Sequence, residues 1–271
     1  MDSTSAVGGL TSALDSAALG KRSSGRRPAV FLDYDGVLTP IVDRPEDAVL
    51  SDTMRAIVRA LADRCPVCII TGRDRAVVQQ LMGIDDLTVA GSHGFDIWMP
   101  GQGAISPDSL GDFTELVAEA TATLRDRLAD TDGVTLEPKR ASVAVHYRNA
   151  APQERQRVHD IVHALLAEMP DRLEVIPGKM VYELRPAVDW NKGKAVLHLI
   201  DVLGLDSDDI VPMYLGDDIT DEDAFAALRG TGIGILVGSP DDPEMKDRVT
   251  AAEFGLASVD DVARFLSELE C

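Results

Sequence analysis

Apolar residues fall along this chain in two patterns, short continuous runs and stretches at helical spacing, and the two alternate. Ala29 to Leu32 is a continuous run that ends in Asp33-Tyr34-Asp35-Gly36. That pattern predicts a strand buried on both faces feeding a tight turn. Ser51 stands where a helix N-cap belongs, and Met54, Ile57, Val58 and Leu61 follow at helical spacing. Val67 to Ile70 is a second buried run, ending in Thr71-Gly72-Arg73. Val77, Val78, Leu81 and Met82 suit another helix, and Leu87 to Ala90 a third strand ending in Gly91-Ser92-His93-Gly94. Strand and helix in alternation predict a parallel sheet with helical crossovers.

The middle of the chain carries a different rhythm. Phe113, Leu116, Val117, Ala120, Leu124 and Leu128 mark one long amphipathic helix. Val134/Leu136 and Val143/Val145/Tyr147 then alternate with period two, which predicts two half-exposed strands. Val158, Ile161, Val162, Leu165 and Leu166 mark another helix, and strands are expected near Leu173/Val175 and Val181. After Pro186 the first rhythm returns: a helix through Ala195 to Leu203, a strand from Ile210 to Leu215 ending in Gly216-Asp217-Asp218, a short helix near Asp221 to Leu228, a strand from Ile233 to Val237 and a last helix from near Ser258. The expected fold is α/β, a doubly wound parallel-sheet core interrupted by an inserted α+β cap. Residues 28–104 and 187–271 form the core in this reading and residues 105–186 the cap. Residues 1–27, rich in Ser, Ala and Gly, read as a disordered tail.

Charge adds a question. The 271 residues carry 46 acidic and 26 basic side chains, a formal net charge of −20, and residues 186–271 hold 19 of the acidic against 6 of the basic ones. Such a balance argues against a nucleic-acid or anionic-membrane partner. No run is long enough to span a membrane, and the first 27 residues lack the apolar stretch of a signal peptide, so a cytoplasmic monomer is expected. Three Cys are no disulfide framework.

In open parallel sheets, ligands bind beyond the carboxyl ends of the strands. The polar clusters there are Asp33/Asp35, Thr71-Gly72-Arg73, Ser92-His93 and Asp217/Asp218. Four carboxylates gathered in one place repel unless a cation sits among them. Magnesium suits an all-oxygen set that also takes substrate phosphate. The nearby nucleophile is then a carboxylate, and aspartate is a phosphoryl acceptor.

Taken together in order and spacing, the segments LDYDGVLTPI (32–41), ITGRD (70–74), GSHG (91–94), LEPKRASVAVHYR (136–148), PGKMVYELRP (177–186), WNKGKA (190–195) and YLGDDITDEDAF (214–225) resemble the haloacid dehalogenase superfamily of phosphohydrolases, and within it the trehalose-6-phosphate phosphatases. The one departure is Val37, where the resemblance leads one to expect Thr; it points to packing.

The resemblance implies roles. Asp33 would attack phosphorus and form an aspartyl-phosphate, and Asp35 would serve as general acid and then general base. Mg²⁺ would be held by Asp33, the Asp35 carbonyl and Asp217, with Asp218 and Asp221 supporting waters and ligands around them. Thr71 would bond a phosphate oxygen and Lys192 would offset the transferring charge. Glu137, Lys139, Arg148, Lys179 and Glu183 of the cap would face the sugar, and Arg73 and His93 would contact phosphate or sugar. The implied substrate is trehalose 6-phosphate, with a functional link to a trehalose-6-phosphate synthase.

Plainer readings stand beside these. Glu137–Arg148 and Lys179–Glu183 could be cross-strand ion pairs, and His93 a turn residue. Cys65-Pro66-Val67-Cys68 opens a strand, unlike a redox site that opens a helix, so Cys68 reads as a buried strand residue. His159 and His163 are four apart on a helix, but Asp stands where a metalloprotease has Glu. Another sugar phosphatase, or a non-catalytic sugar-phosphate sensor, are the alternatives in function; the sensor predicts loss of Asp33, Asp35, Lys192 or Asp217, and all are present.

Overall fold

The computed structural model describes residues 4–105, 113–178, 180–243, 245 and 248–271. In chain order the elements begin with β1 (Ser5–Ala6), β2 (Thr11–Ser12), α1 (Ser16–Ser23), β3 (Arg27–Leu32), α2 (Asp52–Ala62), β4 (Val67–Ile70), α3 (Arg75–Met82), β5 (Thr88–Gly91), β6 (Asp96–Met99) and β7 (Gly103–Ile105). Then come α4 (Thr114–Arg127), β8 (Thr135–Pro138), β9 (Val143–His146), α5 (Pro152–Glu168), β10 (Leu173–Gly178) and β11 (Val181–Pro186). The chain ends with α6 (Lys192–Val202), β12 (Ile210–Gly216), α7 (Glu222–Ala227), β13 (Ile233–Val237), β14 (Val249–Thr250), β15 (Phe254–Leu256) and α8 (Val259–Glu268). Two compact units form, one of Met1–Ile105 with Trp190–Cys271 and one of Ser106–Asp189.

The first unit is built on a nine-stranded sheet in the order β2-β15-β13-β12-β3-β4-β5-β6-β7. Pairing is parallel from β2 through β5. Successive β3 side chains feed opposite faces. Val30 and Leu32 pack with Val58 and Leu61 of α2, Val78 and Met82 of α3, and Phe265 and Leu266 of α8. Ala29 and Phe31 join Val196 and Leu199 of α6 and Ala224 and Phe225 of α7. Helices on both faces are why these strands are apolar at every position. Side-chain caps fix where helices start: Ser51 accepts from Met54 N at 3.1 Å, and Asn191 accepts from Lys194 N at 2.9 Å. Val37 is fully buried, as its chemistry suggests, and Cys68 is buried in β4, where its thiol is pushed up to about 12 by burial.

Over residues 4–27 the structure corrects the reading of residues 1–27 as a disordered tail. β1 pairs with β14, and β2 extends the main sheet beside β15. Asp15 caps α1, and Val7 and Ala13 are buried. Arg22 makes two hydrogen bonds to Glu253, at 2.5 and 2.9 Å, and one to the Gly232 carbonyl at 2.6 Å. The composition is that of a tail, but its few apolar residues, Leu10, Leu14, Ala18 and Leu19 among them, fall where they reach the two cores. A second difference is at β6 and β7, which continue the sheet in antiparallel fashion where no strand was expected.

The second unit has the expected α-β-β-α-β-β order. Its antiparallel sheet runs β10-β11-β9-β8. Ala120 and Leu124 of α4, and Val158 and Val162 of α5, pack on Val143, Val145 and Leu184 of one sheet face. Side chains alternate across a strand, so Glu137, Ala144 and Glu183, which lie in one cross-strand row, belong to the other face. Among the described residues no helix is long and apolar enough to cross a membrane.

Deleting residues 1–24 should therefore cost stability, unlike removal of a true tail. Losing the burial of Val7 and Ala13 and the Arg22 contacts is expected to lower Tm by about 5–10 °C. Differential scanning calorimetry of the shortened chain checks this; an unchanged Tm would restore the tail reading.

Candidate active site

The ends of β3 and β12 lie side by side. Leu32 pairs with Leu215, and Asp33 N donates to the Leu215 carbonyl at 2.9 Å. Asp33 and Asp217 thus emerge from adjacent strands by the geometry of parallel pairing. Two glycines leave room for the carboxylates. Gly36 has a φ of 70°, and a Cβ there would lie 2.0 Å from Asp217 Oδ2. A Cβ on Gly216 would lie 2.3 Å from Asp221 Cγ.

Lys192, the first residue of α6, reaches into this site. Its Nζ donates to Asp33 Oδ2 and to Asp221 Oδ1, both at 2.6 Å. All three side chains are buried. Asp221 Oδ1 also accepts from the Tyr214 hydroxyl at 2.6 Å, and its Oδ2 accepts from the backbone N–H groups of Asp217 and Asp218 at 3.0 and 2.9 Å. Among the described residues, Asp33, Asp217 and Asp221 offer carboxylate oxygens within 4.8 Å of one another. Three carboxylates balanced by one ammonium fit a divalent cation with oxygen ligands.

The site differs from the expected one in three ways. Asp218 and Asp221 were expected to act together around the cation; the structure separates them. Asp221 joins the carboxylate cluster, whereas Asp218 is exposed and caps the turn that follows by accepting from Ile219 N at 2.6 Å. The Asp35 carboxylate lies outside that cluster and is clamped by Arg73, with Nε to Oδ2 at 2.6 Å and Nη2 to Oδ1 at 2.7 Å. Arg73 was expected to contact substrate, but here it also donates to the Pro45 carbonyl at 2.8 Å and lies over the Tyr34 ring.

Thr71 is fully buried at the end of β4, and its Oγ1 accepts from Arg73 N at 3.2 Å. His93 has a φ of 58° and its ring lies against Gly72, while its N–H donates to the Thr71 carbonyl at 2.8 Å. Both the turn and a contact role fit that position.

In the second unit, three of the expected residues have described partners. Glu137 accepts from His146 Nε2 at 2.8 Å, and Glu183 Oε1 accepts from Lys139 Nζ at 3.1 Å and Ser142 Oγ at 2.7 Å. Arg148 is exposed, and Lys179 lies outside the described residues. His146 is inside the HYR segment but was not singled out, and Ser142 and Tyr214 carried no sequence signal of their own.

Burial raises the Asp33 carboxyl to about 7, against the pull of Lys192. Asp217 is raised to about 8, first by burial and then by the charges of Asp33 and Asp221. Burial also pushes Asp221 up, but Lys192 and the hydrogen bonds outweigh it and hold its carboxyl low. Lys192 is held protonated by the same two acids against its own burial.

A sequence model described as Trehalose-phosphatase matches residues 31–259. An uncharacterized glycosyl hydrolase of Mycobacterium tuberculosis (strain CDC 1551 / Oshkosh) is 44% identical over 92% of this chain, which spans only 18% of that protein. A probable trehalose-phosphate phosphatase 2 of Oryza sativa subsp. japonica is 42% identical, over 90% of this chain and 68% of its own length. Among solved structures, a trehalose-6-phosphate phosphatase related protein matches with a TM-score of 0.72 at 25% identity, over 88% of this chain and 95% of its own. A haloacid dehalogenase-like hydrolase from Bacteroides thetaiotaomicron shares the fold, with a TM-score of 0.62 at 14% identity over 89% of this chain and 98% of its own.

The raised carboxyls set a pH dependence. Both groups titrate near 3.8 when unperturbed, so between about 4 and their folded values the native chain holds protons that the unfolded chain has lost. Their contribution to stability is full below about 4 and is lost as pH rises through about 7 for Asp33 and about 8 for Asp217. A divalent cation would replace those protons. Without divalent cations, Tm should fall from pH 6 to pH 9. Mg²⁺ should bind more weakly at pH 6 than at pH 8, with release of roughly one proton at pH 7. Calorimetric titration in two buffers of different ionisation enthalpy reads both; affinity flat across that range would mean the acids are already ionised.

Proposed function

The chain belongs to the trehalose-phosphatase family, and from that membership we propose that it hydrolyses trehalose 6-phosphate to trehalose and inorganic phosphate. The observation that carries this reading is the buried Lys192 between Asp33 and Asp221, with Asp217 beside them. Such a site suits a carboxylate nucleophile and an incoming dianion.

Asp33 attacks phosphorus and forms the aspartyl-phosphate. Lys192 holds the Asp33 carboxylate in place and draws negative charge off the phosphoryl oxygens as they pass. Asp33 and Asp217 would hold Mg²⁺, with Asp221 beside them already occupied by its four donors, and the ion would supply charge neutralisation at the anionic nucleophile and the phosphate. Thr71 donates to a phosphate oxygen.

Asp35 protonates the leaving sugar oxygen and then takes the proton of the attacking water. Both of its oxygens accept from Arg73, which orients the carboxylate.

Glu137, Lys139, Arg148, Lys179 and Glu183 of the inserted unit recognise the sugar. Carboxylates and ammonium groups suit hydroxyls, which both donate and accept. Glu183 is oriented by Lys139 and Ser142. The reaction takes place in the cytoplasm, on a monomer, with substrate supplied by a trehalose-6-phosphate synthase.

Phosphate release from a panel of sugar phosphates, with and without Mg²⁺, tests the reading. Trehalose 6-phosphate should be turned over far faster than monosaccharide phosphates, Asp33→Asn should lose at least about 10³-fold in kcat, and Glu183→Ala should raise KM about tenfold while the chain stays folded. Equal turnover of many monosaccharide phosphates would overturn the substrate, and an active Asp33→Asn would overturn the mechanism.

A further inference from the structure

One contact behind the carboxylate cluster has no part in the chemistry above. Arg248 precedes β14, and its Nη1 donates to the Asp217 carbonyl and its Nη2 to the Asp218 carbonyl, each at 2.6 Å. Nη2 also donates to Glu222 Oε1 at 3.0 Å. Glu222 opens α7, and its Oε2 accepts from Ala251 N at 2.8 Å and Thr250 Oγ1 at 3.2 Å. The guanidinium is thus braced by an acid that is itself tied to the strand beyond it.

The opposite side of the same dipeptide is fixed as well, because both N–H groups of Asp217 and Asp218 donate to Asp221 Oδ2. Two consecutive residues therefore have both amides on one anchor and both carbonyls on another. Asp217 keeps only its side-chain torsions, and Gly36 lies against that carboxylate. This matters because Asp217 is crowded by two other carboxylates, and repulsion favours swinging the loop open. A ligand displaced by half an ångström is a poor ligand. The amino-terminal segment extends the brace, since Val7 N donates to the Arg248 carbonyl at 3.2 Å and Ala6 pairs with Val249.

We propose that Arg248, braced by Glu222, is a positioning residue of the cation site: it fixes the Asp217–Asp218 backbone and so aims the Asp217 carboxylate at Asp33 and Asp221. The inference rests on the phosphatase reading only for the choice of Mg²⁺ as the cation. Its sign separates it from simple electrostatics. Arg248 is a positive charge near a cation site, so by charge alone its removal would tighten Mg²⁺ binding. By position, its removal weakens binding. A purely structural staple would lower Tm and leave affinity unchanged.

The test uses the full chain without substrate. Mg²⁺ is titrated calorimetrically, and the rise in Tm on adding Mg²⁺ is measured alongside. Arg248→Met should weaken Mg²⁺ binding about tenfold, and Glu222→Gln by a few-fold, in the range seen when groups that orient metal ligands are removed. Arg248→Lys should recover part of the loss. Unchanged or tighter binding in Arg248→Met overturns the proposal. If that variant fails to fold by circular dichroism, Glu222→Gln decides, and unchanged affinity there is equally fatal. Wild-type protein that binds no Mg²⁺ also overturns it. Protein that shows the expected pattern of Mg²⁺ affinities but releases no phosphate from trehalose 6-phosphate supports the positioning role and sinks the phosphatase reading instead.

Discussion

Lys192 is 3% exposed, at the first turn of α6, with an oxygen of Asp33 and one of Asp221 each 2.6 Å from its ammonium. Taking an ion out of water costs several kcal/mol, and a helix N-terminus adds roughly 0.3–1 kcal/mol against a cation. Two carboxylates in contact offset that. They do not end the accounting, because three carboxylates and one ammonium leave a formal deficit of two charges. Asp221 has four donors and stays ionised. The frustration falls on Asp33 and Asp217, whose carboxyls are the ones raised. One divalent cation would fill that deficit at the place where it is concentrated.

The fold makes this concentration possible. β3 is hydrogen-bonded to β12 on one side and β4 on the other, so the strand order reverses about β3, where a crevice opens at the carboxyl ends. Asp33, Asp217 and Thr71 come from three adjacent strand ends of one rigid sheet. The helix that supplies Lys192 packs its apolar face on that same sheet through Val196 and Leu199. Crowded charges stay in place here because they are carried by elements whose cores are well buried.

Much of this was legible in the sequence because parallel strands buried on both faces and capped helices leave strong local marks. Ala29–Leu32, Val67–Ile70 and Ile210–Leu215 carried their strands, and Ser51 its helix start. The amino-terminal segment was not legible, since its apolar residues are diluted by Ser and Gly and its contacts are made with β14 and β15, more than two hundred residues away. The short β6 and β7 gave too few alternating positions to register. At the site, the sequence order led one to expect Asp33, Lys192 and Asp217 together, as the structure has them, but the division of labour between Asp218 and Asp221 left no such mark. Two neighbouring aspartates with the same side chain differ only in which way the turn points them. Arg248 was invisible for a related reason: it grips backbone carbonyls, which every residue has.

The acidic balance of the chain takes on a different meaning in this light. Of the six basic residues in 186–271, Lys192 is buried among the carboxylates and Arg248 grips the loop that carries one of them. Asp206, Asp208, Asp209, Asp241 and Asp242 are exposed. Exposed charges are screened beyond a Debye length of about 8 Å at physiological ionic strength, whereas buried ones are screened much less. An anion approaching the ends of β3 and β12 therefore answers to the local set rather than to the whole-chain charge of −20. That local set is short of positive charge until a cation binds. The deficit that raises the Asp33 carboxyl is thus the same deficit that opposes a phosphate dianion, and a single divalent cation would relieve both.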